Sequence, residues 1–141
     1  TTNTGNTISG NARHGVLISG ASAQTIQVLG NLIGLNSAGT SGLANANQGI
    51  MVQTSANGVS IGNGTNAGMN KIAHNGDNGI AVSGTSPTNV TISQNSIYAN
   101  TVLGIDLGLD KVTLDDANDA DTGANNLLNF PIFKDIKITN S

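Results

Sequence analysis

The feature that most constrains this chain is an internal repeat with asparagine, isoleucine and glycine at fixed places. The motif Asn-x-Ile-x-x-Asn occurs four times, and each copy is followed by Gly-apolar-x-apolar. The copies of the first motif cover residues 6–11, 31–36, 70–75 and 95–100, and those of the second cover residues 15–18, 49–52, 79–82 and 104–107. A fixed period of roughly 20 to 50 residues is typical of solenoids and other repeat architectures.

A third apolar pair completes each unit. These pairs are Ile26 and Val28, Val59 and Ile61, Val90 and Ile92, and Val112 and Leu114. Alternation of apolar and other residues predicts short strands with one buried face. The connections are too short for helical crossovers, so each strand must find its parallel neighbour one coil later. The repeat therefore predicts an all-β fold, a parallel β-helix of four to five coils with three short strands each.

The asparagines occupy turns and predict ladders of stacked side chains, because amides in successive coils can bond to one another along the axis. One predicted ladder contains Asn11, Asn36, Asn75 and Asn100, and the other contains Asn6, Asn31, Asn70 and Asn95. The outer copies lie 25 residues apart and the middle step is 39 residues, so the second unit carries an insertion, mostly within residues 37–45. The repeated glycines that begin the second motif predict left-handed backbone or close backbone approach at a corner.

Composition excludes several classes of protein. Only 9% of the 141 residues are charged, and the five basic residues are scattered, which argues against nucleic-acid binding. No segment is apolar enough to span a membrane, and the absence of cysteine excludes disulfides and thiolate metal sites. The length suits one domain, predicted as 1–133, with 134–141 as an exit strand or linker. Phe130 and Phe133 are expected to plug the end of the coil stack.

The repeated run Asn-x-Ile-x-x-Asn-x-x-x-Gly-Ile-x-Val resembles the parallel β-helix repeat of the pectate-lyase-like superfamily. The phrases at 30–34, 61–64, 119–127 and 129–131 are similar to those in modules of large bacterial secreted or surface proteins. The resemblance implies a right-handed coil and an extracellular or cell-surface location in bacteria. It does not imply catalysis.

Residues for glycan cleavage are scarce on the repeats. Only Asp77 and Asp106 carry carboxylates there, and the positions equivalent to Asp106 in the earlier coils hold Leu17, Met51 and Ala81. A hydrolase needs two neighbouring carboxylates as acid and base. His14 and His74 are expected to be solvated turn residues. The sequence therefore favours a non-catalytic module, and the alternative is a fragment or relative of a polysaccharide lyase or hydrolase whose 37–45 loop lines a groove.

Six of the eight aspartates fall between residues 106 and 121. Asp115, Asn118, Asp119 and Asp121 lie in a run of oxygen-bearing side chains that ends in glycine, which resembles calcium loops. The sequence leaves two interpretations open, a calcium site at these four residues or a solvated acidic turn.

The function expected from these features is a structural, spacer or adhesion-type module of a bacterial surface or secreted protein. The expected partners are carbohydrate or another cell-surface component, with end-to-end self-association as a further expectation because open coil ends expose unpaired strand edges.

Overall fold

The computed structural model describes residues 5–84, 87 and 89–132. Short strands follow one another along this part of the chain, and a single 3₁₀ turn, η1, ends it. The strands are β1 (Thr7–Ile8), β2 (Val16–Ser19), β3 (Gln27–Val28), β4 (Leu32–Ile33), β5 (Ile50–Gln53), β6 (Ser60–Ile61), β7 (Lys71–Ala73), β8 (Ile80–Ser83), β9 (Thr91–Ile92), β10 (Ser96–Tyr98) and β11 (Ile105–Leu107), and η1 spans Ala124–Leu127.

The strands assemble into three sheets, each containing every third strand of the chain. The first sheet has the order β1-β4-β7-β10, the second β2-β5-β8-β11 and the third β3-β6-β9. Every pair of neighbouring strands is parallel, as expected when each strand meets its counterpart one coil later. The prediction of an all-β parallel solenoid is confirmed.

The core is a stack of aliphatic side chains in register along the coil axis. In the second sheet Ile50 pairs with Ile80, and in the first sheet Ile33 pairs with Ile72. All four side chains are fully buried. Burial of aliphatic surface stabilises the fold by about 25 cal/mol per Å². Because this surface is buried between coils, each coil depends on its neighbours for stability.

The repeat glycines allow adjacent coils to approach closely. A Cβ atom at Gly49 would lie 2.6 Å from the carbonyl oxygen of Gly79, and one at Gly79 would lie 2.7 Å from that of Gly104. A Cβ atom at Gly104, in the last coil, would lie 3.6 Å from Cγ2 of Ile97, which is ordinary van der Waals contact. None of these three glycines has a positive φ. Of the two predicted reasons for glycine here, close approach is therefore the one that applies.

The third sheet has three strands, not four, so the predicted strand at Val112 and Leu114 is wrong. Both side chains are exposed, at 58% and 80%. Instead η1 folds back against β8 and β11, and Ala124 enters the core cluster. Asn125 completes the replacement, because its Oδ1 accepts the N–H of Val90 and its Nδ2 donates to the carbonyl of Val90. Within residues 5–132 the solenoid thus has four coils, and the fourth lacks its third strand.

The outward positions of the second sheet are more enclosed than the alternation suggests. Leu17 is 50% exposed, but Met51, Ala81 and Asp106 are only 3%, 0% and 3% exposed. Period-two alternation identifies which residues share a face, but it does not determine whether the outer face meets solvent.

The predicted boundary between the domain at 1–133 and the exit strand at 134–141 lies outside the described residues, as does Phe133. Phe130 lies at the end of the stack and is 48% exposed. No helix in the described part of the chain is long and apolar enough to cross a membrane.

Candidate functional site

Asparagine side chains connect the four coils in two continuous hydrogen-bonded ladders. In the ladder before the first sheet, the Nδ2 of each asparagine donates to the Oδ1 of the next, at 3.3 Å from Asn6 to Asn31, 3.0 Å from Asn31 to Asn70 and 2.9 Å from Asn70 to Asn95. The backbone N–H of each of these donors bonds to the same Oδ1. Asn70 is fully buried. Buried amides with every polar atom bonded hold the coils at one spacing.

The other ladder differs from its prediction at one residue. Asn11 donates to Asn45 at 2.7 Å, Asn45 to Asn75 at 2.9 Å and Asn75 to Asn100 at 2.9 Å. Asn45 occupies the place that was predicted for Asn36. It is fully buried, and its Nδ2 also donates to the carbonyl of Ile8 at 3.1 Å.

Asn36 instead organises the inserted loop of the second coil. Its Oδ1 accepts the N–H groups of Thr40 and Ser41, so it closes a turn within the loop. The signal that separates the two asparagines is the distance to the repeat glycine. Asn45 precedes Gly49 by four residues, as Asn11, Asn75 and Asn100 precede their glycines, whereas Asn36 precedes Gly49 by 13.

The two carboxylates of the repeats belong to a third set of contacts between coils, the amide–carboxylate network of Gln48, Asp77, Asn78 and Asp106. Gln48 Nε2 donates to Asp77 Oδ2 at 2.7 Å, and the Asn78 N–H donates to Asp77 Oδ1 at 2.9 Å. Asn78 Nδ2 donates to Asp106 Oδ2 at 3.0 Å. Its Oδ1 accepts the N–H of Leu103 at 2.9 Å. Each of these bonds, apart from that between the neighbours Asn78 and Asp77, joins consecutive coils.

Burial raises the pKa of Asp106 above its usual value, because the charged carboxylate loses its hydration. The N–H of Leu109 and the amide of Asn78 both donate to this carboxylate and partly oppose the shift, while the nearby charge of Asp110 reinforces it. Asp106 is therefore a buried acid tied to two donors. In this arrangement it serves the packing of the last two coils.

The two histidines lie in different surroundings, and His14 aligns with Gln48 of the next coil because Val16 pairs with Ile50. His74 is exposed, with φ 59°, and its ring contacts that of Tyr98 edge to face at 6.0 Å between centroids. The inserted loop approaches the same imidazole, since a Cβ atom at Gly42 would lie 2.8 Å from its Cγ. His14 is half-buried, and its Nδ1, like Gln48 Oε1, has no hydrogen-bond partner among the described residues. The described hydrogen bonds of Asp77 and Asp106 involve neither histidine.

The acidic segment is closed by its own hydrogen bonds. Asp115 Oδ1 accepts the N–H of Phe130 at 3.0 Å, and Asp119 Oδ1 accepts that of Asn129 at 2.9 Å. Asn129 in turn bonds to the backbone of Asp116 through both of its side-chain polar atoms. Two of the four predicted calcium ligands thus converge on adjacent backbone amides.

No group of three or more acidic, histidine or cysteine side chains in the described part of the chain is arranged to hold a metal ion. Calcium binding at Asp115, Asn118, Asp119 and Asp121 stays a prediction from the sequence. Melting with and without millimolar calcium tests it, because binding to the folded state raises the melting temperature. An unchanged melting temperature would contradict it.

An apolar groove of about 470 Å³ lies at the end of the stack beside β11. Its walls come from the last strand of the second sheet and from the segment that follows it. The lining residues include Leu103, Ile105, Leu107, Val112, Leu127 and Phe130.

Comparison of the chain with protein-family models gives no match. Comparison with solved structures gives no significant match either.

Proposed function

We propose that this chain is a non-catalytic spacer or adhesion-type module that gives a bacterial surface or secreted protein a rigid segment. The observation that carries the proposal is the use made of the polar side chains of the repeats. Asp77, Asp106 and the ladder asparagines all bond to the neighbouring coil. Because these polar groups bond the coils to one another, they favour a rigid scaffold over a reactive site.

The carboxylates of Asp77 and Asp106 are poorly placed to act as acid and base in glycan cleavage. A general acid or base must reach the proton that it transfers. Both oxygens of Asp77 and both oxygens of Asp106 accept protein N–H groups, and Asp106 is only 3% exposed. The alternative of a polysaccharide-active fragment, with the 37–45 loop lining a groove, therefore has no observation in its favour.

Membership of the pectate-lyase-like superfamily is part of this proposal, as is a right-handed coil. The coarse features that support membership are the three parallel sheets and the asparagine ladders. A right-handed crossover is the strong preference for parallel strands. The surface location follows from the resemblance of the repeat and of the segment around residues 119–131 to modules of secreted and surface proteins.

A cleavage screen tests the catalytic half of the proposal. The chain is incubated at high concentration with polygalacturonate and related glycans, and reducing ends and unsaturated products are measured. We expect no product above the protein-free control. Product that disappears in Asp77→Asn, with the fold of that variant intact, would contradict the proposal.

Antibody labelling tests the location. Antibodies against this chain should bind intact bacterial cells that express it, or the protein in their medium, without permeabilisation. Labelling that requires permeabilised cells would contradict a surface or secreted role.

A further inference from the structure

The strand β11 presents an unpaired edge within the described structure. It pairs with β8 on one side, where the N–H of Ile80 donates to Gly104 and the N–H of Gly108 donates to Val82. Since backbone groups alternate in direction along a strand, the polar groups of Ile105 and Leu107 point away from β8. An edge of this kind is a template for another strand.

The apolar groove lies beneath this edge. Ile105 and Leu107 continue the inward rows of the second sheet, because they pair with Ile80 and Val82. Both also line the groove, and Ile105 is 43% exposed. The groove is therefore the space that inward side chains of a further coil would fill.

The strand β2 at the opposite end of the same sheet carries the matching pattern. Val16 pairs with Ile50 and Ile18 with Val52, so these two residues head the rows that Ile105 and Leu107 end. The N–H of Val16 donates to Gly49 and that of Gly20 to Gln53, both in the direction of β5. The N–H groups of Leu17 and Ser19 consequently point away from β5, toward an edge of the second sheet that no other described strand pairs with.

The first-coil end and the β11 end also differ in charge. This difference favours one orientation of a contact between two copies of the chain. Arg13 is the only residue among Asp, Glu, Lys and Arg in residues 5–68, whereas residues 95–132 contain six aspartates and one lysine. Contact between two acidic ends would bring like charges together. Contact between an acidic end and the first coil would not.

We propose that copies of this chain associate head to tail, with β2 of one copy added in parallel to β11 of another. The register that runs through the sheet places Val16 of the incoming copy beside Ile105, and Ile18 beside Leu107. Because Asn125 of η1 already bonds to the backbone of Val90 beside β9, the contact forms through the first and second sheets. This inference does not depend on the proposed function, since it rests on the places of β2 and β11 as the outer strands of the second sheet in the described structure.

A head-to-tail interface uses two different surfaces, so blocking either one stops growth of the assembly. Proline lacks the N–H that an added strand would need and is tolerated at strand edges. Leu17→Pro therefore blocks the first-coil surface and Ile105→Pro blocks the groove surface. Ser37→Pro is the matched control, because Ser37 is exposed and occupies the second position of the turn that Gly39 closes on Asn36.

The measurement is sedimentation equilibrium of the whole chain over a concentration series that reaches about 1 mM, a range suited to a small interface. We expect the weight-average mass of the wild type and of Ser37→Pro to rise at least about 1.5-fold above the monomer value of 14.1 kDa. Leu17→Pro and Ile105→Pro should each stay monomeric. Their equimolar mixture should form a heterodimer and nothing larger, because one good surface remains on each variant.

A wild type that stays monomeric throughout would overturn the proposal and leave the groove as a site for a strand of another protein. Continued assembly of either proline variant alone, or a monomeric mixture, would also overturn it. If circular dichroism shows that a proline variant is unfolded, Ser19→Pro and Ile105→Lys replace the pair. Ser19 has the same outward N–H as Leu17, and a lysine at 105 would put a charge into the groove.

Discussion

The contribution of an asparagine to the stability of this fold depends on the number of coils that its side chain joins. Asn45 contacts the coils on both sides and is fully buried, while Asn36 bonds only within its own loop. The repeat correctly predicted ladders from stacked amides. It placed Asn36 in one of them because the motif Asn-x-Ile-x-x-Asn is intact there, and only the four-residue spacing from Asn45 to Gly49 marks the residue that packs.

Replacement of these two asparagines by alanine should give very different stabilities. Asn45→Ala removes two accepted bonds from Asn11 and two donated bonds to Ile8 and Asn75, and it leaves their polar partners unpaired. Each buried polar group that loses its partner costs about 1–3 kcal/mol, so we expect a loss of at least about 3 kcal/mol in the free energy of unfolding. Asn36→Ala should cost about 1 kcal/mol or less. Urea unfolding measures both, and equal losses would contradict the ladder assignment.

The buried carboxyl of Asp106 makes stability depend on pH in a defined direction. Its pKa is raised in the folded state, so the folded protein favours the protonated form. The stabilisation from this group is complete below the unfolded pKa and is lost as pH rises through the folded pKa.

We therefore expect the free energy of unfolding of the wild type, minus that of Asp106→Asn, to fall between pH 3 and pH 7, when both are measured by urea unfolding. Asp77→Asn serves as the control for removal of a carboxylate from the same network. A difference that stays constant or rises with pH would contradict the assigned direction.

At the scale of elements, the strands were predictable because each has a short period-two pattern that repeats in register. The ending of the solenoid was not. Val112 and Leu114 have the pattern of a third-sheet strand, but no further coil covers them among the described residues, and η1 brings Ala124 into the core instead. The hydrophobic pattern indicates which residues a strand would bury. Whether a neighbouring coil is present to bury them depends on the tertiary structure, which the pattern does not give. The enclosure of Met51 and Ala81 on the outer face escaped the pattern for the same reason.

The close approach between coils predicts a graded response to alanine along the row of repeat glycines. Gly49→Ala would place a Cβ atom 2.6 Å from a backbone oxygen of the next coil, and backbone cannot move aside as a flexible side chain can. Overpacking of this kind costs about 1–3 kcal/mol. Gly104→Ala is the matched control, since its nearest atom lies at 3.6 Å. Thermal melting should show a clear drop for the first variant and little change for the second, and equal melting temperatures would be inconsistent with the described spacing.

At the scale of the whole molecule, the structure is a solenoid whose order comes from contacts between successive coils. Charge collects at one end, aliphatic residues fill the interior, and amides bond from coil to coil. The composition fits this architecture, because asparagine amides bond the coils to one another and small aliphatic side chains form the core. The function was less predictable than the fold. A repeat specifies a scaffold, whereas function depends on particular sites that the scaffold does not determine.

The most direct test of this account is hydrogen exchange of the asparagine side-chain amides, followed by NMR. The Nδ2 protons of Asn45, Asn70 and Asn75 are buried and bonded between coils, so they should exchange orders of magnitude more slowly than those of Asn36. Slow exchange for the three ladder amides together with fast exchange for Asn36 is the predicted result. Equally fast exchange at all four residues would contradict a solenoid held together by buried asparagine ladders.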